Sequence, residues 1–425
     1  MKNLLFYIFL ITTATLSAQD TYLQCGQIID TESGKVLSEK TVVVSGNKIK
    51  SIEDGFTAGS KKDSVIDLKN KVVMPGFIDM HVHIESESGP KTYIKRFTEN
   101  EADVAFASVG YAKSTLMAGF TTVRDLGGSG VNIALRNAID KRQVEGPRIF
   151  TAGKSIATTG GHADPSNGMR DDLTGDPGPK EGVVNSPEEG RKAVRQRYKN
   201  GADVIKITAT GGVLSVAKSG QNPQFTVEEI KAITDTAKDY GMLTAAHAHG
   251  DEGMQRAIKG GIKTIEHGTM MSDETMEMMK EYDSYLVPTI TAGKQVTEKA
   301  KIDGYFPEVV AKKASEIGPL IQDMFGRAYK KGVPIAFGTD AGVFPHGLNA
   351  KEFGYMVEVG MPVMEALKSA TVTNAELLGM SDQLGQLKQG FLADIVAVDE
   401  NPEKNVSTLE NVVFVMKDGV VYKGK

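Results

Sequence analysis

His81 and His83 stand one residue apart at the end of the apolar run FIDMHVH. In a strand, residues i and i+2 face the same side, so both imidazoles can look toward one point. Neutral imidazoles placed this way make half of a transition-metal site. The chain holds only seven histidines: these two, His162, His247, His249, His267 and His346. Six fall at, or a few residues beyond, the last residue of a predicted strand, and His162 falls in the long loop after the third. One such His would be read as a hydrogen-bonded structural residue. Seven of them point to a shared site.

Two charges are as informative. Asp340 ends the apolar stretch IAFGTD, where an unpaired carboxylate would be costly to bury. A metal, a proton or an Arg must compensate it, so Asp340 is either a ligand and general base or the partner of Arg124. Lys206 sits inside DVIKIT among apolar and β-branched residues, at a similar cost. Either it forms a salt bridge to Asp340 or Asp203, or its amine has reacted with carbon dioxide to give a carbamate bridging two metals. Desolvation lowers a lysine pKa and so supplies the neutral amine that this reaction needs.

These residues must be positioned by a regular frame. Eight apolar runs follow one another: GFIDMHVH, GFTTVRDLGG, PRIFTAG, ADVIKITATGG, MLTAAHAHG, IKTIEHGT, SYLVPTI and VPIAFGTDAG. Helical stretches such as SPEEGRKAVRQRYKNG and TVEEIKAITDTAKDYG separate them, opening on Ser or Thr and closing near Gly. The pattern predicts an α/β fold, a closed (β/α)8 TIM barrel over residues 76–384, with the site at the carboxyl ends of its strands. A doubly wound open sheet shares this periodicity. Residues 19–75 and 385–425 have a short, alternating β texture. Each end is too small for a core of its own, so the two are expected to pair into one small β-sandwich domain. The Gly- and Pro-rich segment 154–186 should overhang the mouth of the barrel, and TAGKQVTEKAKIDGYFPEVV, residues 291–310, should help close the pocket.

The 425-residue chain is 40% hydrophobic, enough for a large domain plus a smaller one. Its formal net charge of -5, with Lys and Arg scattered, gives no basic stripe for nucleic acid. Cys25 is the only cysteine, which excludes an intrachain disulfide and a Cys-based zinc site. At the N-terminus Lys2, the apolar run LLFYIFLITTATL and the small residues Ser17 and Ala18 follow the plan of a secretory signal peptide over residues 1–18. The run is shorter than the ~20 residues that span a bilayer. Export to the periplasm or medium is therefore expected, with no membrane association after cleavage.

Taken together, PGFIDMHVH, VIKITATGG, TAAHAHG, IEHGT and FGTDAG, in that order, resemble the metal-dependent amidohydrolase superfamily in its binuclear branch with a carboxylated lysine. The resemblance covers nearly the whole chain. It implies that His81, His83 and Asp340 bind the more buried metal, that His247 and His267 bind the more exposed one, and that Lys206 bridges them as a carbamate. Zinc is the default metal, although manganese, iron and cobalt also suit these ligands. TTVRDLGG, TTGGHAD, ITATGGV and GTDAGVFPHG make the chain most similar to Xaa-Pro-type dipeptidases and imidazolonepropionase-like proteins. His162 then contacts substrate. His249, where many relatives have Tyr, becomes either a support behind the ligands or a second substrate contact, so side-chain preference does not transfer directly.

The mechanism so implied uses a water acidified by two cations. Asp340 acts as general base and then as general acid, while His162 and His249 stabilise the oxyanion or hold a substrate carboxylate. Arg124 and His346 are further candidates for substrate binding, with an Arg124–Asp125 ion pair as the structural alternative. The small-molecule substrate is expected to be a dipeptide or N-acyl amino acid. A cyclic amide of imidazolone type is the alternative within hydrolysis, and an inactive metal-binding protein is the alternative outside it. Barrels of this superfamily often associate, so a homo-oligomer is expected.

Overall fold

The computed structural model describes residues 19–424. The expected leader, residues 1–18, lies outside them. Strands β1 (Asp20–Asp30), β2 (Lys35–Ser45), β3 (Lys48–Asp54) and β4 (Ser64–Pro75) come first. β1 pairs antiparallel with β2 and parallel with β4, slipping register between Cys25 and Gln27. Gly26 occupies that slip, and a Cβ there would fall on the Lys69 carbonyl.

Seven short parallel strands follow: β5 (Phe77–Val82), β6 (Phe120–Asp125), β7 (Arg148–Thr151), β8 (Val204–Thr208), β9 (Leu243–Ala248), β10 (Thr264–His267) and β11 (Tyr285–Val287). The chain ends in β12 (Ile395–Val398), β13 (Phe414–Lys417) and β14 (Val420–Lys423). The terminal strands form one mixed sheet, ordered β14-β13-β12-β4-β1-β2-β3, in place of two stacked sheets. Ile49 N donates to Phe391 O at 2.9 Å and Ala393 N to Asn47 O at 2.9 Å, so β3 meets the residues just before β12. The sheet thus curls around its own core of Leu23, Cys25, Val42, Val73, Ile395 and Phe414. Twist lets one long sheet enclose a core that two flat sheets would have to share.

β5-β6-β7 form one parallel sheet and β11-β10-β9-β8 another. Almost every residue of these strands is buried, as expected for parallel strands covered on both faces. The two sheets are joined at both edges. On one side Asp203 N donates to Thr151 O at 2.8 Å and Ile156 N to Lys206 O at 2.8 Å. On the other, residues 333–341 run between β11 and β5: Ala336 N donates to Leu286 O at 2.9 Å, Met80 N to Phe337 O at 2.9 Å, and Asp340 N to His81 O at 2.7 Å. This segment, expected as the eighth strand, keeps only isolated bridges at Ile335 and Ala341. Pro334 lacks an amide hydrogen and Asp340 is left-handed at φ 61, so no continuous ladder forms.

Helices connect the strands where start and stop residues predict. Pro187–Asn200 opens on Ser186, which accepts from Glu189 N, and closes at left-handed Gly201. Thr226 and Glu229 make a reciprocal capping box for Val227–Asp239. The segment after β11, read as a cover for the pocket, is itself helical: Ile290–Ala300, Glu308–Ile317 and Ile321–Lys330. No helix among the described residues is long and apolar enough to cross a membrane.

Candidate active site

His81 is held by a carboxylate. Its Nδ1–H donates to Glu266 Oε2 at 2.9 Å, which leaves Nε2 as the lone-pair nitrogen. That Nε2 is buried without a hydrogen-bond partner and lies 3.4 Å from Asp340 Oδ1, which is equally unpartnered. His83 donates from Nδ1 to Gly127 O at 2.7 Å, so its Nε2 also turns a lone pair toward Asp340 Oδ1, 3.4 Å away. His247 is the other tautomer: Nε2–H donates to Gly211 O at 3.0 Å and frees Nδ1. His267 Nδ1 lies 2.7 Å from Thr289 Oγ1. One donor atom from each of His81, His267 and Asp340 falls within 4.8 Å of the others.

Burial sets the protonation states. It lowers the His83 pKa to about 4 and those of His162 and His249 to about 3, and it depresses His81, His247 and His267 well below the usual range. All six imidazoles are therefore neutral, the form that binds a metal. Burial also lowers the pKa of Lys206 and raises that of Asp340, although each lies in the field of the other. The Lys206–Asp203 bridge weighed from sequence does not form, because Asp203 takes Arg136 at 2.6 Å. Neutral, inward-facing nitrogens beside an unpartnered buried carboxylate suit a divalent cation.

The backbone is strained where these groups project. His267, Thr289 and Asp340 have φ of 71, 55 and 61°, a left-handed region that non-glycine residues seldom occupy, least of all a β-branched threonine. They follow one another around the strand ends.

Two candidates stand elsewhere. Arg124 is fully buried beneath the site, donating to Met80 O at 2.6 Å, Thr264 Oγ1 at 3.0 Å and Glu266 Oε1 at 2.9 Å. It does not line the cavity, and its charged partner is neither Asp125 nor Asp340 but Glu266. His346 lies with Nε2 3.1 Å from Ser86 O and Nδ1 3.2 Å from Thr115 Oγ1, its ring stacked on Tyr111, outside the cavity. Neither of these two candidates for substrate binding lines the cavity. Glu266, which links Arg124 to His81, was missed, yet it was visible as the one charge inside the strand TIEH. Asp79 was missed in the same way. It accepts from His81 N and Thr339 N, each at 3.0 Å, and so ties β5 to the segment bearing Asp340.

A cavity of about 230 Å3 opens over this cluster. His81, His83, His162, His247, His249, His267, Lys206 and Asp340 all line it. His162 stacks on His247 at 4.3 Å between ring centroids, and a Cβ on Gly212 would collide with its ring. His249 Nδ1 is 2.8 Å from Thr269 Oγ1. The lining also has an apolar part, built from Val213, Leu214, Val296, Ile317, Ile321 and Val343. Of the long segment 154–186, only Ser155, His162 and Ala163 reach the cavity.

Residues 72–424 match the amidohydrolase family. The ochratoxinase of Aspergillus niger is 31% identical over 439 residues, spanning 98% of this chain and 89% of that protein. The crystal structure of a Xaa-Pro dipeptidase with methionine bound in its active site superposes with a TM-score of 0.93 at 53% identity, over 96% of this chain and 100% of that one. A prolidase crystallised with N-methylphosphonate-L-proline gives 0.87 at 31% identity, again over 96% and 100%.

Proposed function

The chain belongs to the amidohydrolase family and is a hydrolase of amide bonds, and from that premise we propose that it cleaves dipeptides or N-acyl amino acids to release the C-terminal amino acid. The observation that carries the reading is the pair His81 Nε2 and Asp340 Oδ1, buried, unpartnered and 3.4 Å apart, in a cavity lined by four more inward-facing polar ligands. The two parallel sheets are taken as halves of one closed (β/α)8 barrel, a reading supported by the hydrogen bonds at both edges.

His81, His83 and Asp340 would hold one divalent cation, His247 and His267 a second, with Lys206 as a carbamate between them. Zinc is the default metal. When bound, such cations supply Lewis acidity and an acidified water. The chain's own groups do the rest. Asp340, its proton affinity raised by burial, accepts the proton of the attacking water on its carboxylate and delivers it to the leaving amine nitrogen. His162, with Nδ1 buried and unpartnered, and His249 hold the substrate carbonyl or carboxylate from the open side. Arg124 and Glu266 keep the His81 lone pair aimed inward.

The dipeptide reading gains support from the relative with methionine in its active site, since a free amino acid is a product of dipeptide hydrolysis. Export behind a leader at residues 1–18 and self-association complete the proposal. The test is metal analysis of the purified mature protein together with hydrolysis of a dipeptide, N-acyl amino acid and cyclic amide library. About two metals per chain and release of C-terminal amino acids are expected. Cleavage of cyclic amides alone, or of nothing by metal-replete protein, would sink the dipeptidase reading.

A further inference from the structure

Lys313, on the helix Glu308–Ile317, is only 5% exposed, yet no part of the reaction uses it. Its ammonium donates to three main-chain carbonyls: Gly212 O at 2.7 Å, Ser215 O at 2.6 Å and Ala217 O at 2.8 Å. All three belong to the loop that leaves β8, and no carboxylate offsets the buried charge. A buried cation spent on holding backbone is costly and calls for a reason.

The loop supplies one. Val213 and Leu214 belong to the apolar part of the cavity lining, Gly212 seats the His162 ring, and Ile317 on the lysine's own helix belongs to the same part. Tyr93 Oη adds a fourth tether, donating to Leu214 O at 2.8 Å. The base of the loop is fixed separately: Gly211 N donates to Asn222 O at 3.0 Å, and Thr210 bridges to Pro223. Loss of Lys313 would thus release residues 212–217 without freeing Gly211, which orients His247. Apart from Lys206, Asp340 and the histidines, no ionisable side chain among the described residues lines the cavity. A charged substrate side chain pressed against this wall would be buried unpaired.

We propose that Lys313 is a positioning residue for residues 212–217, and that the wall it holds makes the enzyme select substrates whose side chain, where it meets this wall, is uncharged and apolar. The inference rests on the dipeptidase reading. Its test is the ratio of kcat/KM for two nearly isosteric dipeptides, Ala-Met and Ala-Glu, on metal-loaded mature protein. The wild type should favour Ala-Met by about 100-fold or more. Lys313→Met should retain its metal and lower that ratio by at least about 10-fold, mainly through a raised KM for Ala-Met. A role limited to stability would lower Tm and leave the ratio unchanged, which overturns the proposal. Should Lys313→Met fail to fold, Tyr93→Phe decides: a fall of about 2- to 5-fold supports the proposal and an unchanged ratio overturns it. Wild-type enzyme that takes Ala-Glu as well as Ala-Met removes this inference and leaves the dipeptidase reading standing. Wild-type enzyme that cleaves no dipeptide removes both.

Discussion

The curled terminal sheet and the strand-end cavity bury opposite kinds of side chain. Around Leu23, Cys25, Val42 and Phe414 the sheet core is hydrocarbon with one thiol, and burial there stabilises the fold by removing apolar surface from water. At the strand ends the buried groups are Arg124, Glu266, Lys206, Asp340 and the imidazoles of His81, His247, His249 and His267, with His83 and His162 half-buried beside them, and their desolvation opposes folding. The sheet can lose a side chain and keep its chemistry. The cavity can keep its fold and lose its function, because its groups are retained for what they hold.

That contrast can be broken in order of expected effect. Lys206→Ala should abolish hydrolysis and lower bound metal, with partial rescue by a short carboxylic acid in place of the carbamate. Full activity in the variant would disprove the bridging role. Asp340→Asn keeps the shape but loses the proton acceptor, so kcat should fall by about 10²- to 10⁴-fold with little change in Tm. Arg124→Ala leaves Glu266 buried and uncompensated, and should cost about 3–5 kcal/mol in chemical denaturation. If the loss is below ~1 kcal/mol, Glu266 has been neutralised by another route.

In the sheet, Leu23→Ala should cost about 2–4 kcal/mol while kcat/KM stays at the wild-type value, and a parallel fall in activity would show that the two regions are coupled. The smallest effect concerns Cys25, whose thiol is pushed up to about 12 by burial. Its folded pKa lies above the unfolded 9.0, so the stability it contributes is present below pH 9 and is lost as pH rises toward 12. At pH 8 the folded protein should therefore resist iodoacetamide, and alkylation should track unfolding. Rapid labelling of native protein would contradict the burial.

How much of this was legible beforehand differs by residue. Lys206 and Asp340 declared themselves because a charge in an apolar strand is a local anomaly. His81 and His83 did so because alternation puts i and i+2 on one face. Glu266 carried the same signal but was overlooked beside His267. The eighth segment was placed correctly between its neighbours, yet read as a strand, because pattern does not reveal that Pro334 and a left-handed Asp340 interrupt its ladder. Arg124 and His346 were recognisable as polar residues near strand ends, but their direction was not. Arg124 turns down toward Glu266, 142 positions away, and His346 turns to Thr115, 231 positions away. The apolar wall and the Lys313 tether likewise join segments about 100 residues apart. Residue type, strand period and the cost of isolated charge are local properties, and from these the sequence alone determined the family of chemistry and which residues are candidate ligands. Which hydroxyl, carbonyl or carboxylate each of those side chains meets depends on contacts between distant segments, and only the tertiary structure decided that.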